Sequence, residues 1–439
     1  MLGDRGHRDV KDAARWVDHC IVHVVSRALP EPSAPAPPSA AEARSALTRD
    51  ASPSVDDATL VELVAGNTAF SADIFKRVAT ETPKSENVFL SGYGISGAFA
   101  MLAAGARGDT QKEIAKTFHF TIDADKLHPA FDKLALEIES RARDGGAGSD
   151  GKGFRLAVDS SFWGEKTLAW ERPYLDVLAT SYGAGINLVD YRSAAEPARA
   201  AINAWTEAKT EGRIAELLPA GSIDEATRLV MVNTVYFNAA WASPFESQSL
   251  TFHGPAGDAS IDGMRATGGG IRAGTKDGTS VVAIPYEGGD LELVAMVPAS
   301  LDALEQSLDG HALESLLEVP TSGNIALTMP KFTIDGDAMP LMESLQALGL
   351  RAPFERDAAD LSGITKQVRL STDDVRHKGF LKVDEKGTEA AAATGMSSGG
   401  SGVPVPAVVV TIDRPFLFVI RDVPTKTVLF TGRVVEPHL

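Results

Sequence analysis

Cysteine is almost absent from this chain: Cys20 is the single one in 439 residues, so no internal disulfide can staple it. A chain of this length buries enough surface to fold without one. Positive charge is scarce too. Lys and Arg total 42 against 59 Asp and Glu, a formal net charge of −17, which argues against a nucleic-acid partner because phosphate recognition needs clustered cations. No apolar run approaches the roughly 18 residues of a membrane span. Catalytic fingerprints are missing as well. The nearest approach to a nucleophile elbow, Ala147-Gly-Ser149-Asp-Gly151, lacks its first glycine and follows no strand pattern. Gly268-Gly-Gly270 lacks the last glycine of a dinucleotide loop, and neither a P-loop nor His-Glu-x-x-His occurs. His19 and His23 flank Cys20 at helical ligand spacing, but no further ligand accompanies them on a terminal segment ill suited to a metal cage. These absences exclude a transmembrane protein, a disulfide scaffold and a basic groove binder. They call for no catalytic residue, no metal and no cofactor.

The first 57 residues differ from the rest. Residues 29–40 are rich in proline and alanine, a linker without a core of its own. Upstream, residues 10–27 have the makings of a short helix carrying Trp16, Ile21 and Val24. Charges from Asp4 to Asp18 leave only Cys20–Val25 apolar, interrupted by His23, which is a poor signal peptide. Residues 1–57 are therefore read as a disordered or partly helical extension, and 58–439 as one domain. Within it, apolar residues recur at helical spacing from Leu60 to Val78. Residues 95–106 are nearly all apolar and read as a buried helix. Further helical patterns lie at 110–118, 126–141, 170–181, 195–211, 301–317 and 339–349. Strand-like runs lie at 154–163, 228–239, 279–285, 291–297, 324–334, 375–384, 407–412, 415–421 and 427–435. Helices dominate the front and strands the back, which is an α+β pattern rather than alternating βαβ units. Arg107-Gly108-Asp109 is read as a helix boundary rather than an adhesion motif. Residues 145–151 form a glycine-rich loop.

The informative stretch begins as a strand at Val375–Val383 and continues as Asp384-Glu-Lys-Gly-Thr-Glu-Ala-Ala-Ala-Ala-Thr394-Gly-Met396. It then runs through Ser397-Ser-Gly-Gly-Ser-Gly402 to Val403-Pro404. A Gly/Ser-rich tip between two strands is the kind of exposed segment that a protease binds in extended form. Before the tip, Thr388, Ala390, Ala392 and Thr394 alternate as small, uncharged side chains on one face, with Glu389 on the other. Such a segment fits the middle of a sheet, and no proline between Glu385 and Val403 forbids it. Gly387 is expected to supply backbone freedom at the point of departure. On composition alone, a plain low-complexity Ala/Gly/Ser-rich hairpin loop is the favoured reading.

Glu385-Lys-Gly-Thr-Glu-Ala-Ala-Ala-Ala-Thr394 closely resembles the reactive-loop hinge of inhibitory serpins, of the type found in bacteria as well. Other segments are similar to serpin signatures in the same order: Asn87-Val-Phe-Leu-Ser91, Asn203-Ala-Trp205, Asn233 through Trp241 to Phe245, Met329-Pro-Lys-Phe332, Asp360-Leu-Ser-Gly363, Arg414-Pro-Phe-Leu-Phe418 and Leu429-Phe-Thr-Gly-Arg-Val434. The resemblance covers roughly 58–439. It implies a large central, mostly antiparallel sheet, two further sheets, about eight or nine helices and an exposed reactive loop at about 386–406. It also implies a protein that is not an enzyme but a suicide substrate for a serine (or cysteine) protease.

By the same resemblance, Glu385, Gly387, Thr388, Glu389, Ala390, Ala391, Ala392, Ala393 and Thr394 form the hinge. The reactive bond falls at Ser401–Gly402, with Val403 and Val405 as neighbours to consider. Ser91, Asn233, His377 and Trp241 govern sheet opening. One departure stands out: the usual Ser-Pro-x-Ser-Ile is here Ser91-Gly-Tyr-Gly-Ile95, which removes a serine from that polar cluster. Small tip residues, and no Lys or Arg between Lys386 and Arg414, point to elastase-like or subtilisin-like targets. A monomer located outside the cell or in its envelope is expected. The competing reading is a non-inhibitory serpin serving as a carrier, although such relatives carry bulky, charged or proline residues in the hinge.

Overall fold

The computed structural model describes residues 41–141, 154–372, 374–388 and 408–438. The sequence readings at 10–27, 29–40 and 145–151, and those for Glu389–Thr394 and Ser401–Gly402, lie outside them. Among the described residues there are nine α-helices and three sheets.

The central sheet has eight strands. In spatial order they are Glu42–Ala43, Ile186–Val189, Arg155–Glu165, Leu229–Ala240, Gly387–Thr388, Arg376–Asp384 and Phe332–Asp335, with Met339–Pro340 pairing farther along Arg376–Asp384. Two of its pairings are parallel: Arg155–Glu165 with Ile186–Val189, and Leu229–Ala240 with Arg376–Asp384. The rest are antiparallel. Behind it lies a seven-stranded sheet that includes Leu291–Val297, Phe416–Asp422 and Val428–Val434, all buried along their whole length. That burial on both faces explains why these segments read as continuous apolar runs rather than alternating ones. The third sheet orders Val408–Thr411, Ile325–Pro330, Gly257–Thr267 and Glu246–Gly254.

Helix Asp57–Glu81 starts where Asp56 caps it, the carboxylate accepting from Thr59 N at 2.8 Å. Helix Gly92–Gly105 is buried on nearly every side and packs against the central sheet and against Val428–Val434, as its composition predicts. The pattern at 301–317 resolves into two helices, Leu301–Ser307 and Gly310–Leu317, because Leu308 is extended and Asp309 caps a fresh start. The run 324–334 also divides. Ile325–Pro330 belongs to the third sheet and Phe332–Asp335 to the central one, and Lys331 turns the corner. In 339–349, helix covers only Met342–Ala347, after a two-residue strand ending in Pro340.

By contacts, the described residues before residue 58 group with the domain that follows. Residues 41–56 lie along it. Glu42 and Ala43 pair antiparallel with Asn187 and Ile186 on the outer edge of the central sheet. Arg49 donates from Nε to Asp132 at 2.6 Å and from Nη1 to Glu139 at 3.0 Å, and Asp50 N donates to Thr180 O at 2.9 Å. Composition reads this segment as part of the extension; at Glu42 and Ala43 its backbone makes ordinary sheet bonds, which composition does not reveal.

Candidate functional site

The two central strands of the main sheet, Leu229–Ala240 and Arg376–Asp384, pair in parallel from Val232/Arg376 to Tyr236/Phe380. Above that they part. Into the mouth of the fork come Gly387 and Thr388, antiparallel to both: Gly387 opposite Ala240 and Asp384, Thr388 opposite Ala239 and Val383. The chain reaches this position through a tight reversal after Asp384, whose carboxylate accepts from Lys386 N at 3.0 Å. Burial raises the Asp384 pKa above its ordinary value.

Each group in the mouth has a defined partner. Trp241, almost fully buried, donates from Nε1 to Asp384 O at 2.8 Å and from its backbone N to Lys386 O at 2.9 Å. Its indole stacks on Tyr286, with centroids 4.5 Å apart and planes 11° from parallel. The Tyr286 hydroxyl shares a 2.7 Å hydrogen bond with Thr388 Oγ1, and Thr388 is completely buried. Phe245 N donates to Glu385 O at 2.7 Å, and Lys331 Nζ donates to Glu385 Oε1 at 2.8 Å. Burial opposes the Glu385 charge, but the Lys331 hydrogen bond helps to outweigh it and hold the pKa below its ordinary value.

Gly387 is required for a different reason than expected. A Cβ there would lie 2.1 Å from Ala239 O, and Gly387 is not among the residues of positive φ. Close backbone approach, rather than left-handed freedom, excludes a side chain.

Farther down the closed part of the seam lie Asn233 and His377, which face each other in register. His377 Nε2 accepts from Ser91 N at 3.1 Å. Ser91 caps helix Gly92–Gly105, its Oγ accepting from Gly94 N at 3.0 Å and donating to Leu429 O at 2.7 Å. Asn233 Nδ2 donates to Ser160 Oγ at 3.1 Å. Two buried atoms, Asn233 Oδ1 and His377 Nδ1, have no partner among the described residues. Burial pushes the His377 pKa down to about 4, so the ring is neutral at pH 7. The two glycines of the altered helix opening sit in tight quarters. A Cβ at Gly92 would lie 2.1 Å from Ser71 Oγ, and one at Gly94 would lie 2.9 Å from the Asn233 amide.

The four residues expected to govern sheet opening thus form two sites. Ser91, Asn233 and His377 meet beneath the closed seam. Trp241 stands at the mouth, eight residues along the strand from Asn233, roughly 26 Å at about 3.3 Å per residue. Tyr286 and Lys331 belong to the mouth but carry no signal in the sequence. Tyr286 follows an unremarkable strand end, and Lys331 lies inside a recognised motif that does not disclose its partner. Among the described residues no cluster of potential metal ligands occurs, and no helix is long and apolar enough to cross a membrane.

Comparison with known proteins agrees with this architecture. The family model described as serpin (serine protease inhibitor) matches residues 65–437. Human antithrombin-III is 34% identical over 389 residues, covering 86% of this chain and 82% of its own. Mouse leukocyte elastase inhibitor A is 34% identical over 390 residues, covering 86% of this chain and all of its own. The crystal structure of tengpin, a thermophilic serpin, in its native state superposes with a TM-score of 0.78 over 90% of this chain and 99% of that one. At 24% identity it speaks for the fold. A family of protease inhibitors takes the place of any enzymatic reading. With its sheet fork, its hinge sequence and a family match spanning most of its length, the chain belongs to the serpins.

Proposed function

We propose that this protein inhibits serine endopeptidases as a suicide substrate, with elastase-like or subtilisin-like enzymes as its targets. One observation carries the reading: the hinge residues Gly387 and Thr388 are already paired between the two central strands. The names of the relatives, which refer to thrombin and to leukocyte elastase, support a serine protease as the partner. Loop insertion is the serpin family's own mechanism and the standing example of strand addition to a sheet. It is not deduced from this fold.

In this mechanism the protease serine attacks the Ser401 carbonyl, and the 401–402 peptide bond breaks. The Gly402 amine leaves, and an ester links Ser401 to the enzyme. Residues after Thr388 then continue the strand that Gly387 and Thr388 have begun. Thirteen residues at about 3.3 Å each carry the tethered protease roughly 43 Å. Distortion of its active site stalls deacylation. The catalytic groups are the target's; this chain supplies bait and spring.

The test is incubation with equimolar pancreatic elastase and, separately, subtilisin, followed by denaturing gels and intact-mass measurement. The expected result is a denaturant-stable adduct and a released fragment beginning at Gly402 or a near neighbour. Cleavage within 397–405 with no adduct would make the protein a substrate or carrier and overturn the proposal.

A further inference from the structure

Helix Tyr191–Lys209 packs on the central sheet, against Arg155–Glu165 and Leu229–Ala240. It ends in a tight reversal. Thr210 caps it, and Glu211 and Gly212 both take positive φ, 49° and 81°. Glu211 is no glycine, so its left-handed backbone is strained. Three bonds hold it there. Gly212 N donates to Glu207 O at 2.8 Å, Arg213 N to Thr210 O at 2.9 Å and Ile214 N to Thr210 Oγ1 at 3.0 Å. The reversal turns the side chains of Glu211 and Arg213 toward the sheet.

The two side chains reach opposite sides of the seam. Arg213 sets its guanidinium 5.2 Å from the centre of the Phe380 ring. Glu211 pairs with Arg155 at 2.8 Å, and that guanidinium lies 5.9 Å from the centre of the Tyr236 ring. Tyr236 and Phe380 are the last directly paired residues of the closed seam, three positions below the level of Thr388. A strand entering between Leu229–Ala240 and Arg376–Asp384 must part this pair first. We propose that Arg213, with Glu211 acting through Arg155, is a positioning residue for inhibition. The reversal after the helix bridges the point where the seam begins to open, and fixes how readily it parts. Cation–π contacts tie both rings to one short segment. An inserted strand would move the rings apart by about 4.8 Å, so the bridge belongs to the uncleaved form alone. This rests on the insertion mechanism proposed above.

The test uses full-length wild type, Arg213→Met, Arg213→Lys, Phe380→Leu and the Arg213→Met/Phe380→Leu double variant. Each is incubated with a synthetic peptide of the sequence 389–401. Uptake into a stable complex, followed by native mass spectrometry, reads seam opening without any protease. Expected is uptake about 2–5-fold faster in Arg213→Met than in wild type, with Arg213→Lys close to wild type. Arg213→Met should add nothing in the Phe380→Leu background. The guanidinium midpoint of Arg213→Met should fall below wild type before loop cleavage by subtilisin and match it afterwards. Equal uptake by wild type and Arg213→Met, or an equal loss of midpoint before and after cleavage, overturns the bridge while insertion stands. If wild type neither takes up the peptide nor gains stability on cleavage, the insertion mechanism itself fails, and this inference with it.

Discussion

The mouth of the fork and the polar cluster below it belong to the same pair of strands, yet they are built on opposite principles. At the mouth, the indole, phenol, ammonium and hydroxyl groups find partners, and the glycine contact is too tight for any other residue. In the cluster, a buried acceptor and a buried donor are left over. Satisfied buried polar groups rigidify a structure, and unsatisfied ones each withhold about 1–3 kcal/mol. The mouth therefore holds Gly387 and Thr388 firmly between their neighbours, and the cluster leaves the closed seam with two buried polar groups unsatisfied.

The largest effect should come from loading the mouth with charge. Thr388→Arg puts a guanidinium where the threonine is fully buried against Tyr286, at about 3–5 kcal/mol if it stays unpaired. The variant should be cleaved by its target without forming the stable adduct, as read on a denaturing gel; retained trapping would break the contrast drawn here.

Next comes pH, which addresses the cluster. The folded pKa of His377 is about 4 against an ordinary 6.5, lowered by burial, so the unfolded chain takes up the proton first. The stability tied to a neutral His377 is fully present above pH 6.5 and is lost as pH falls toward 4, by roughly 1–3 kcal/mol. His128, also pushed down to about 4 by burial, adds in the same direction. Urea midpoints between pH 7 and 4.5 should show the loss, with a shallower slope in His377→Gln.

Gly387→Ala tests the close approach. A Cβ 2.1 Å from Ala239 O must push the hinge out of the fork, at about 1–3 kcal/mol. Trp241, whose indole and backbone are tied to that turn, should report the displacement as an emission shift. The smallest effect is expected for Lys331→Met. The ion pair to Glu385 is partly exposed, so its loss should cost about 0.5–1 kcal/mol and shift Trp241 emission far less than Gly387→Ala.

Much of this architecture was legible because burial leaves a periodic trace. The all-apolar helix at 95–106 and the strands at 291–297 and 415–421 stand out for that reason. The hairpin Glu246–Gly254 and Gly257–Thr267 did not, because its outer positions are exposed and only a few side chains such as Leu250, Phe252 and Met264 turn inward. Breaks at Leu308 and Lys331 depend on which layer each half meets, which local pattern does not record. The hinge residues themselves were recognisable as a motif. The partners of the mouth were not: Tyr286 meets Thr388 across 102 positions, and nothing near either residue announces the other.

The segment before the first long helix has a further consequence. Glu42 and Ala43 occupy part of the hydrogen-bonding edge of Ile186–Val189, so that strand is no open template for a neighbouring molecule. With this flank occupied, a proteolytic nick releasing residues 41–56 would create a new point of growth. Trimmed preparations should therefore polymerise faster on gentle warming than intact ones, and storage of the protein becomes a question of protecting its amino-terminal strap.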